Sequence, residues 1–301
     1  MAYRNIVVSS DAKLSLKNRQ LCIKTDMVND TVPIEDIDTV LIESRQSVLS
    51  TALMGALAKS GVALFVCDEF HMPCAVLQPY LQHSRQHEVT KRQLALSTPA
   101  KKRLWQQIVV SKISNQARCL SLQGYEEEAL ELERISKSVK SGDSGYAEGH
   151  AAAKYFSTLF GEGVTRGDDL DCRNGWLNYG YAIVRGCVAR TLSVYGFMPL
   201  FGIQHHSQLN QFNLADDFIE PFRPIVDLFT AENATSDTKL TPEVKRRLVN
   251  LINYNILMDS KKYTLSYAIE LAVKSFSSVL MEKRKDLLLP ELMLLELHKY
   301  E

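Results

Sequence analysis

Two histidines followed by three acids form the stretch of this sequence best equipped for chemistry. His205 and His206 precede Asp216, Asp217 and Glu220, and the spacing of Asp217 and Glu220 would project both from one face of a helix. Pro221 and Pro224 then constrain the chain. Two carboxylates on one face repel unless a cation or a base lies between them. A neutral imidazole with carboxylates is a donor set suited to Mg²⁺ or Mn²⁺, leaving open positions for water and phosphate oxygens. On spacing alone, a solvated acidic helix behind a surface loop with two histidines is the commoner arrangement. A further ligand would have to come from elsewhere. Glu148 opens a segment rich in small residues that can approach another helix closely, although a first-turn glutamate also simply offsets a helix dipole.

Several other chemistries lack support. The sequence has no Walker A loop, no G-x-G-x-x-G, no G-x-S-x-G elbow and no H-E-x-x-H, which removes the usual plans for nucleotide hydrolysis, dinucleotide redox chemistry and common hydrolases. Gly161 and Gly163 are too short a signal to cradle phosphate and read as a helix stop. The six cysteines (Cys22, Cys67, Cys74, Cys119, Cys172, Cys187) include no C-x-x-C pair, so they are expected to be reduced and mostly buried. Charged residues occupy the start of the chain, and no 18-residue apolar run exists. A cytoplasmic protein with no membrane partner is expected.

The elements that must position the candidate residues fall into two groups. The chain has 301 residues, 46% hydrophobic and 23% charged, with 14 Gly and 9 Pro, enough for two packed domains. Strands are expected at residues 5–9, at 13–23 folding back near Lys17, Asn18 and Arg19, and at 39–43, 62–66 and 74–77. One helix interrupts them, capped by Ser50 and stopped by Gly61. From about residue 82 the apolar spacing becomes three and four, and helices are expected at 104–120, 176–195, 244–257, 265–280 and 287–297. The fold class is therefore α+β, with a small N-terminal β-rich domain (1–81) before a larger all-α C-terminal domain (82–301). The last apolar stretch reads as a terminal helix closing the core, or else as a surface for subunit packing.

Charge sums to zero, with 35 Lys and Arg against 35 Asp and Glu, but it is segregated. Between His83 and Arg118 stand Arg85, Lys91, Arg92, Lys101, Lys102, Arg103, Lys112 and Arg118 against Glu88 alone. A block of five glutamates follows (Glu126, Glu127, Glu128, Glu131, Glu133). Two solvated helices bridging each other are the ordinary outcome of such runs. The functional alternative is a surface that tracks phosphates.

Several motifs occur together in one order: Glu148 with AAKYF at 152–156, LNYGYAIVR at 177–185, GIQH at 202–205 and FNLADDFIEPFRP at 212–224. Supporting segments are PIEDIDTVLIE at 33–43, GVALFVCD at 61–68, LWQQIV at 104–109 and KISNQA at 112–117. In this the sequence resembles the CRISPR-associated integrase family, the catalytic subunit of the spacer-acquisition complex, and within it the type II branch. The resemblance spans nearly the whole chain. It implies one divalent ion, Mg²⁺ or Mn²⁺, held by Glu148, His205 and Glu220, with Glu220 at a position that is Asp in other branches. Counting back from Phe212 favours His205, and His206 stays open as the ligand. Asp217 is implied as support behind the ligands, and Asn178 and Tyr179 as residues lining the site.

The implied reaction is transesterification, in which the 3′-hydroxyl of a short DNA duplex attacks a phosphodiester at the repeat array. Arg85, Lys91, Arg92, Lys101, Lys102, Arg103 and Lys112, with Arg166, Arg173 and Arg223, are the candidate contacts to double-stranded DNA, both spacer precursor and repeat array. The implied assembly is a homodimer, two of which are bridged by a dimer of a small second subunit into a heterohexamer, with further type II acquisition proteins as additional partners. Two other functions compete with this one: a metal-dependent DNA or RNA nuclease using water, and a DNA-binding scaffold without catalysis.

Overall fold

A two-residue turn opens the architecture. In the computed structural model, which describes residues 4–77, 86–161, 166 and 171–299, β1 (Arg4–Val8) leads to β2 (Lys13–Lys17) and β3 (Gln20–Lys24). Asn18 and Arg19 between β2 and β3 both have positive φ, 50° and 60°, the backbone twist that closes a tight hairpin. Then come β4 (Asn29–Pro33), β5 (Ile37–Ile42), β6 (Val48–Leu49), α1 (Thr51–Lys59), β7 (Ala63–Cys67) and β8 (Pro73–Leu77). Ser50 caps α1 by accepting from the Leu53 amide.

These strands form two four-stranded sheets, ordered β1-β5-β7-β8 and β4-β3-β2-β6. Leu14, Leu21, Val40, Ile42, Leu53, Leu57 and Leu64 fill the space between them. In the first sheet β5 is parallel to both β1 and β7 and is buried at every position, as a strand covered on both faces must be. The second cover is the helical body: Leu41, Ala63, Phe65 and Cys67 point away from the N-terminal core and into the helical one. The short strands β4 and β6 carry no strong apolar alternation and were not expected from the sequence.

The helical body comprises α2 (Gln86–Leu94), α3 (Thr98–Leu122), α4 (Glu126–Ser138), α5 (Ala147–Phe160), α6 (Cys172–Val194), α7 (Asn213–Ile219), α8 (Arg223–Asn233) and α9 (Pro242–Val249). It closes with the hairpin β9 (Asn255–Met258) and β10 (Lys261–Thr264) and with α10 (Leu265–Leu280). The α+β class stands, but the C-terminal part is mostly helical and not all-α. The helix expected over 244–257 ends at Val249, and the chain turns through Asn250–Asn253 into β9. Asp259 and Ser260 both adopt positive φ to close that hairpin. A short apolar run satisfies helix and strand alike, and here strand pairing decides.

The terminal helix expected at 287–297 is absent. Pro290 cannot donate to a helix ladder, and side chains and strand edges serve this backbone instead. The Leu287 amide donates to Gln107, the Leu292 amide to Asn115, and Glu291 pairs with Leu257. The segment is an extended strap that buries Leu287 and Leu292, so it closes the core without being a helix. The domain boundary expected between 81 and 82 lies outside the described residues, as does Arg85. All six cysteines are free, and three of them (Cys67, Cys119, Cys187) are buried; burial pushes the Cys67 and Cys187 thiols up to about 12. Among the described residues no helix is long and apolar enough to cross a membrane.

Two buried features of this body lend themselves to measurement. Helix α6 approaches the first sheet so closely that a Cβ on Gly186 would lie 2.0 Å from the Phe65 ring. Gly186→Ala is expected to destabilise the protein by about 1–3 kcal/mol through overpacking. Phe65→Leu should relieve part of that loss, so additive losses in the thermal unfolding of the double variant would contradict this packing. Deeper in the bundle, Asp227 on α8 is 1% exposed and accepts from the Tyr155 and Tyr181 hydroxyls. Burial outweighs these two bonds and raises its carboxyl to about 6. An acid whose folded pKa is raised adds stability below its unfolded value, near 4, and loses it as pH climbs through 6. Relative to Asp227→Asn, the wild type should lose on the order of 3 kcal/mol between pH 4 and 7. Parallel stability curves for the two proteins would refute this.

Candidate functional site

The site is assembled from four separate stretches, each held by its own local device. Glu148 lies in the first turn of α5. That turn is capped from a distance, because the Asp143 carboxylate accepts from the Ala147 amide at 2.9 Å and the Glu148 amide at 3.2 Å. The preceding residue, Tyr146, is in the left-handed region with φ 56° and is exposed. Glu220 sits in the single tight turn Glu220–Phe222 between α7 and α8, where Pro221 and Pro224 break the continuous helical ladder. The carbonyl of Pro221 accepts from the buried amide of Asn115 at 2.8 Å, and the same Asn115 also donates to Pro290 of the strap.

His205 is placed by a buried carboxylate. Asp217 is fully buried and accepts from the backbone amides of Ile203, Gln204 and His205, and its Oδ1 lies 2.8 Å from His205 Nδ1. This fold of the loop requires glycine at 202: a Cβ there would lie 2.2 Å from the His205 carbonyl and 2.8 Å from Asp217 Oδ2. The hydrogen bond to Asp217 raises the imidazole pKa against the opposing effect of burial. With Nδ1 occupied by Asp217, Nε2 is the nitrogen left to meet a ligand. The ring packs edge-on against Trp105, with centroids 5.8 Å apart. His206 is exposed like His205 and differs in its partner, since its Nδ1 meets the Gln204 backbone carbonyl and no carboxylate.

The two glutamates converge on one cation. Lys112 Nζ on α3 lies 2.6 Å from Glu148 Oε1 and 2.6 Å from Glu220 Oε2. Contact with Glu148 has hydrogen-bond geometry, while Glu220 Oε2 has only the ion-pair contact. Arg223 Nε donates to the other oxygen of Glu220 at 2.9 Å, with its guanidinium 4.5 Å from the Tyr181 ring centroid. Burial pushes the Glu220 carboxyl up, but Lys112 and Arg223 together outweigh it and hold the group below its ordinary value. Among the described residues no three His, Cys, Asp or Glu side chains gather closely enough to hold an ion. The donor chemistry nevertheless fits a hard divalent cation: two carboxylates already converge on a positive charge, and one imidazole is oriented by a carboxylate behind it.

Other expected site residues are distributed differently. Asp216 turns away to Arg185 and Asn210. Asn178 accepts from Arg166, whose guanidinium also faces the Tyr181 ring, 5.4 Å from its centroid. Tyr179 does not line the site; it is fully buried, with Lys245 Nζ 5.5 Å from its ring centroid, because its place on α6 turns it toward α9. Lys112 is not a free phosphate contact, being 12% exposed and held between the two glutamates. Arg173 is bound to Asp171 and the Phe160 carbonyl and so joins α5 to α6.

The basic run does not form one strip. Arg92 pairs with Glu88 and Arg118 with Glu291. Lys101 lines a cavity of about 380 Å³ that also contains His205 and His206. Arg92 and Arg103 line another of about 620 Å³ together with Lys283, Arg284 and Lys285. Those last three and Asp143 were missed from the sequence, and Asn115 and Gly202 stood there only inside the motifs KISNQA and GIQH, with no role assigned. Lys283, Arg284 and Lys285 were legible as a short basic run, whereas nothing in the spacing marks the other three.

Known proteins resemble this chain in sequence and in fold. Residues 6–243 match the sequence model of the family described as CRISPR associated protein Cas1. The chain is 42% identical to the CRISPR-associated endonuclease Cas1 of Neisseria meningitidis serogroup C (strain 8013), with all of both chains covered. Its fold is similar to a casposase bound to integration product, with TM-score 0.78 and 22% identity over 94% of this chain and 92% of that one. It is also similar to a chain of a Cas6-RT-Cas1–Cas2 complex, with TM-score 0.71 and 18% identity over 93% of this chain and 35% of that one. Motifs, fold and full-length similarity together make this chain a member of the Cas1 family of CRISPR-associated proteins.

Proposed function

We propose that this protein is the integrase of CRISPR adaptation, joining the 3′-hydroxyl ends of short DNA duplexes into a repeat array by transesterification. The observation that carries the reading is the convergence of Glu148 and Glu220, from separate helical elements, on a single positive charge, together with a histidine near enough to Glu220 for its charge to act on the ring and whose Nδ1 is occupied by Asp217. In this reading Glu148, the Nε2 of His205 and Glu220 hold Mg²⁺ or Mn²⁺. The bound ion supplies Lewis-acid polarisation of the attacked phosphoryl group. The chain's own part is orientation. Asp217 fixes the imidazole, Arg223 and the Asn115 contact fix Glu220, and Asp143 fixes the first turn of α5 that carries Glu148. A new phosphodiester forms as the target strand's own 3′-oxygen leaves, so bonds are exchanged without a covalent enzyme intermediate. The casposase of similar fold, solved with its integration product, supports joining over hydrolysis.

Double-stranded DNA is held mainly by its backbone in this reading. Lys101, which shares a cavity with His205, and Arg103, beside Lys283 to Lys285, are the contacts best placed. Lys91, Lys102 and Arg166 extend them. The structure of similar fold solved with Cas2 supports a second subunit as partner; the assembly proposed with it is two homodimers bridged by a dimer of that small subunit into a heterohexamer. A cytoplasmic location, the type II branch, further type II acquisition proteins as partners and the division at 81/82 belong to the same proposal.

One assay tests the reaction. The protein, with its second subunit and Mn²⁺ or Mg²⁺, is incubated with a labelled short duplex bearing 3′-hydroxyls and a supercoiled plasmid carrying a repeat. Label joined to plasmid is the expected result. Nicking without joining would make the protein a nuclease, and neither would leave a scaffold. Glu148→Ala, His205→Ala and Glu220→Ala should each reduce joining at least about 100-fold, as loss of a metal ligand or of its charge stabilisation does, with the circular dichroism spectrum retained. Reversing Lys101, Lys102 and Arg103 together should weaken DNA binding and flatten the plot of log affinity against log salt by about 0.9 for each phosphate that is no longer neutralised. An unchanged slope would return these residues to an ordinary solvated face.

A further inference from the structure

Lys112 occupies the space that a metal shared by Glu148 and Glu220 would need. Its ammonium is 2.6 Å from one oxygen of each carboxylate, and Arg223 takes the remaining oxygen of Glu220. Two negative and two positive charges therefore sit together in a site where Glu220 is 5% exposed. A divalent cation entering beside a retained ammonium would leave two uncompensated positive charges in a region poorly screened by water. Both cations also compete for Glu220 Oε2, because Arg223 takes the other oxygen of that carboxylate. One of them has to leave, and the ammonium is the one on a flexible four-carbon stem.

We propose that Lys112 is a resident counter-cation of the Glu148–Glu220 pair, which holds the two carboxylates together before metal arrives and must swing out for a divalent ion to bind. The proposal rests on the metal-site reading above. It assigns Lys112 a role distinct from phosphate binding, as the residue that sets how much divalent cation is needed to load the site. The physical reason is competition. The closed ion triplet is a stable alternative to the loaded site, so its stability is subtracted from the apparent metal affinity.

Removing the competitor gives an effect opposite in sign to structural damage. Lys112→Met keeps the stem and removes the charge. In calorimetric or electron paramagnetic titration of the full chain, its Mn²⁺ dissociation constant should fall about tenfold or more below that of the wild type. The metal-free variant should melt earlier than the wild type, because the facing carboxylates lose their counter-ion, and saturating Mn²⁺ should restore more of its melting temperature. An unchanged or weaker Mn²⁺ affinity in the folded variant would overturn the proposal. A measurement on the unmutated protein guards against a variant that fails to fold. Lys112 should be protected from an amine-acylating reagent without metal and become modified on adding Mn²⁺, read by peptide mass spectrometry. Equal modification in both conditions would also overturn it. Glu148→Ala in the same titration separates the two levels of argument. If it binds Mn²⁺ as the wild type does, the metal site fails and this proposal with it. If it loses binding while Lys112→Met gains nothing, only the role of Lys112 fails.

Discussion

The buried carboxylate of Asp217 is the constraint from which the rest of the site follows. A carboxylate with no exposure is tolerable only if donors replace the water it has lost, and here they are three consecutive backbone amides and one imidazole nitrogen of residues 203–205. A loop cannot offer three amides to one acceptor without folding tightly around it. That is why position 202 has no room for a side chain. Once the loop is folded, His205 has a fixed orientation and one available nitrogen. A hydrogen bond that solves a desolvation problem in the core therefore also aims an imidazole nitrogen.

The same double use recurs behind the other two acids. Asn115 is 1% exposed and spans the carbonyls of Pro221 and Pro290 while accepting from the Leu292 amide. It satisfies the backbone of the strap and, through the same side chain, holds the turn that presents Glu220. Asp143 caps α5 and so sets the turn that carries Glu148. In each case a polar side chain buried to complete hydrogen bonding ties a remote segment to a residue of the site. The strap, the bundle and the site therefore form one connected structure.

Zero net charge has a local meaning here. Cations and anions that cancel in the total are arranged in two ways. Some cancel at contact, as in the cluster of Lys112, Arg223, Glu148 and Glu220, and in the pairs Arg92 with Glu88 and Arg118 with Glu291. Others outnumber the acids around them, leaving Lys101 in the cavity that His205 lines, and Arg103, Lys283, Arg284 and Lys285 against Glu282 and Asp286 around the cavity at the start of α3. Net charge sets the average field, while the balance between these two arrangements sets where an anionic partner could bind.

Much of the fold was legible in the sequence because local rules and tertiary packing agree there. The tight hairpin at Asn18 and Arg19, the capped α1 and the long amphipathic helices carry their own signals of turn chemistry and period. The hairpin of β9 and β10 and the strap at 284–299 do not. Their apolar runs suit a helix until Pro290, two positive-φ residues and the side chains of α3 offer their backbone another set of partners. The motif residues named the acids and the histidine, but spacing could not separate His205 from His206, send Asp216 to Arg185, or turn Tyr179 toward Lys245. Least legible of all was Lys112, which in the sequence is one more cation in a basic run. Which charge faces which depends on distances between segments far apart in the chain, and those distances exist only once the helices have packed.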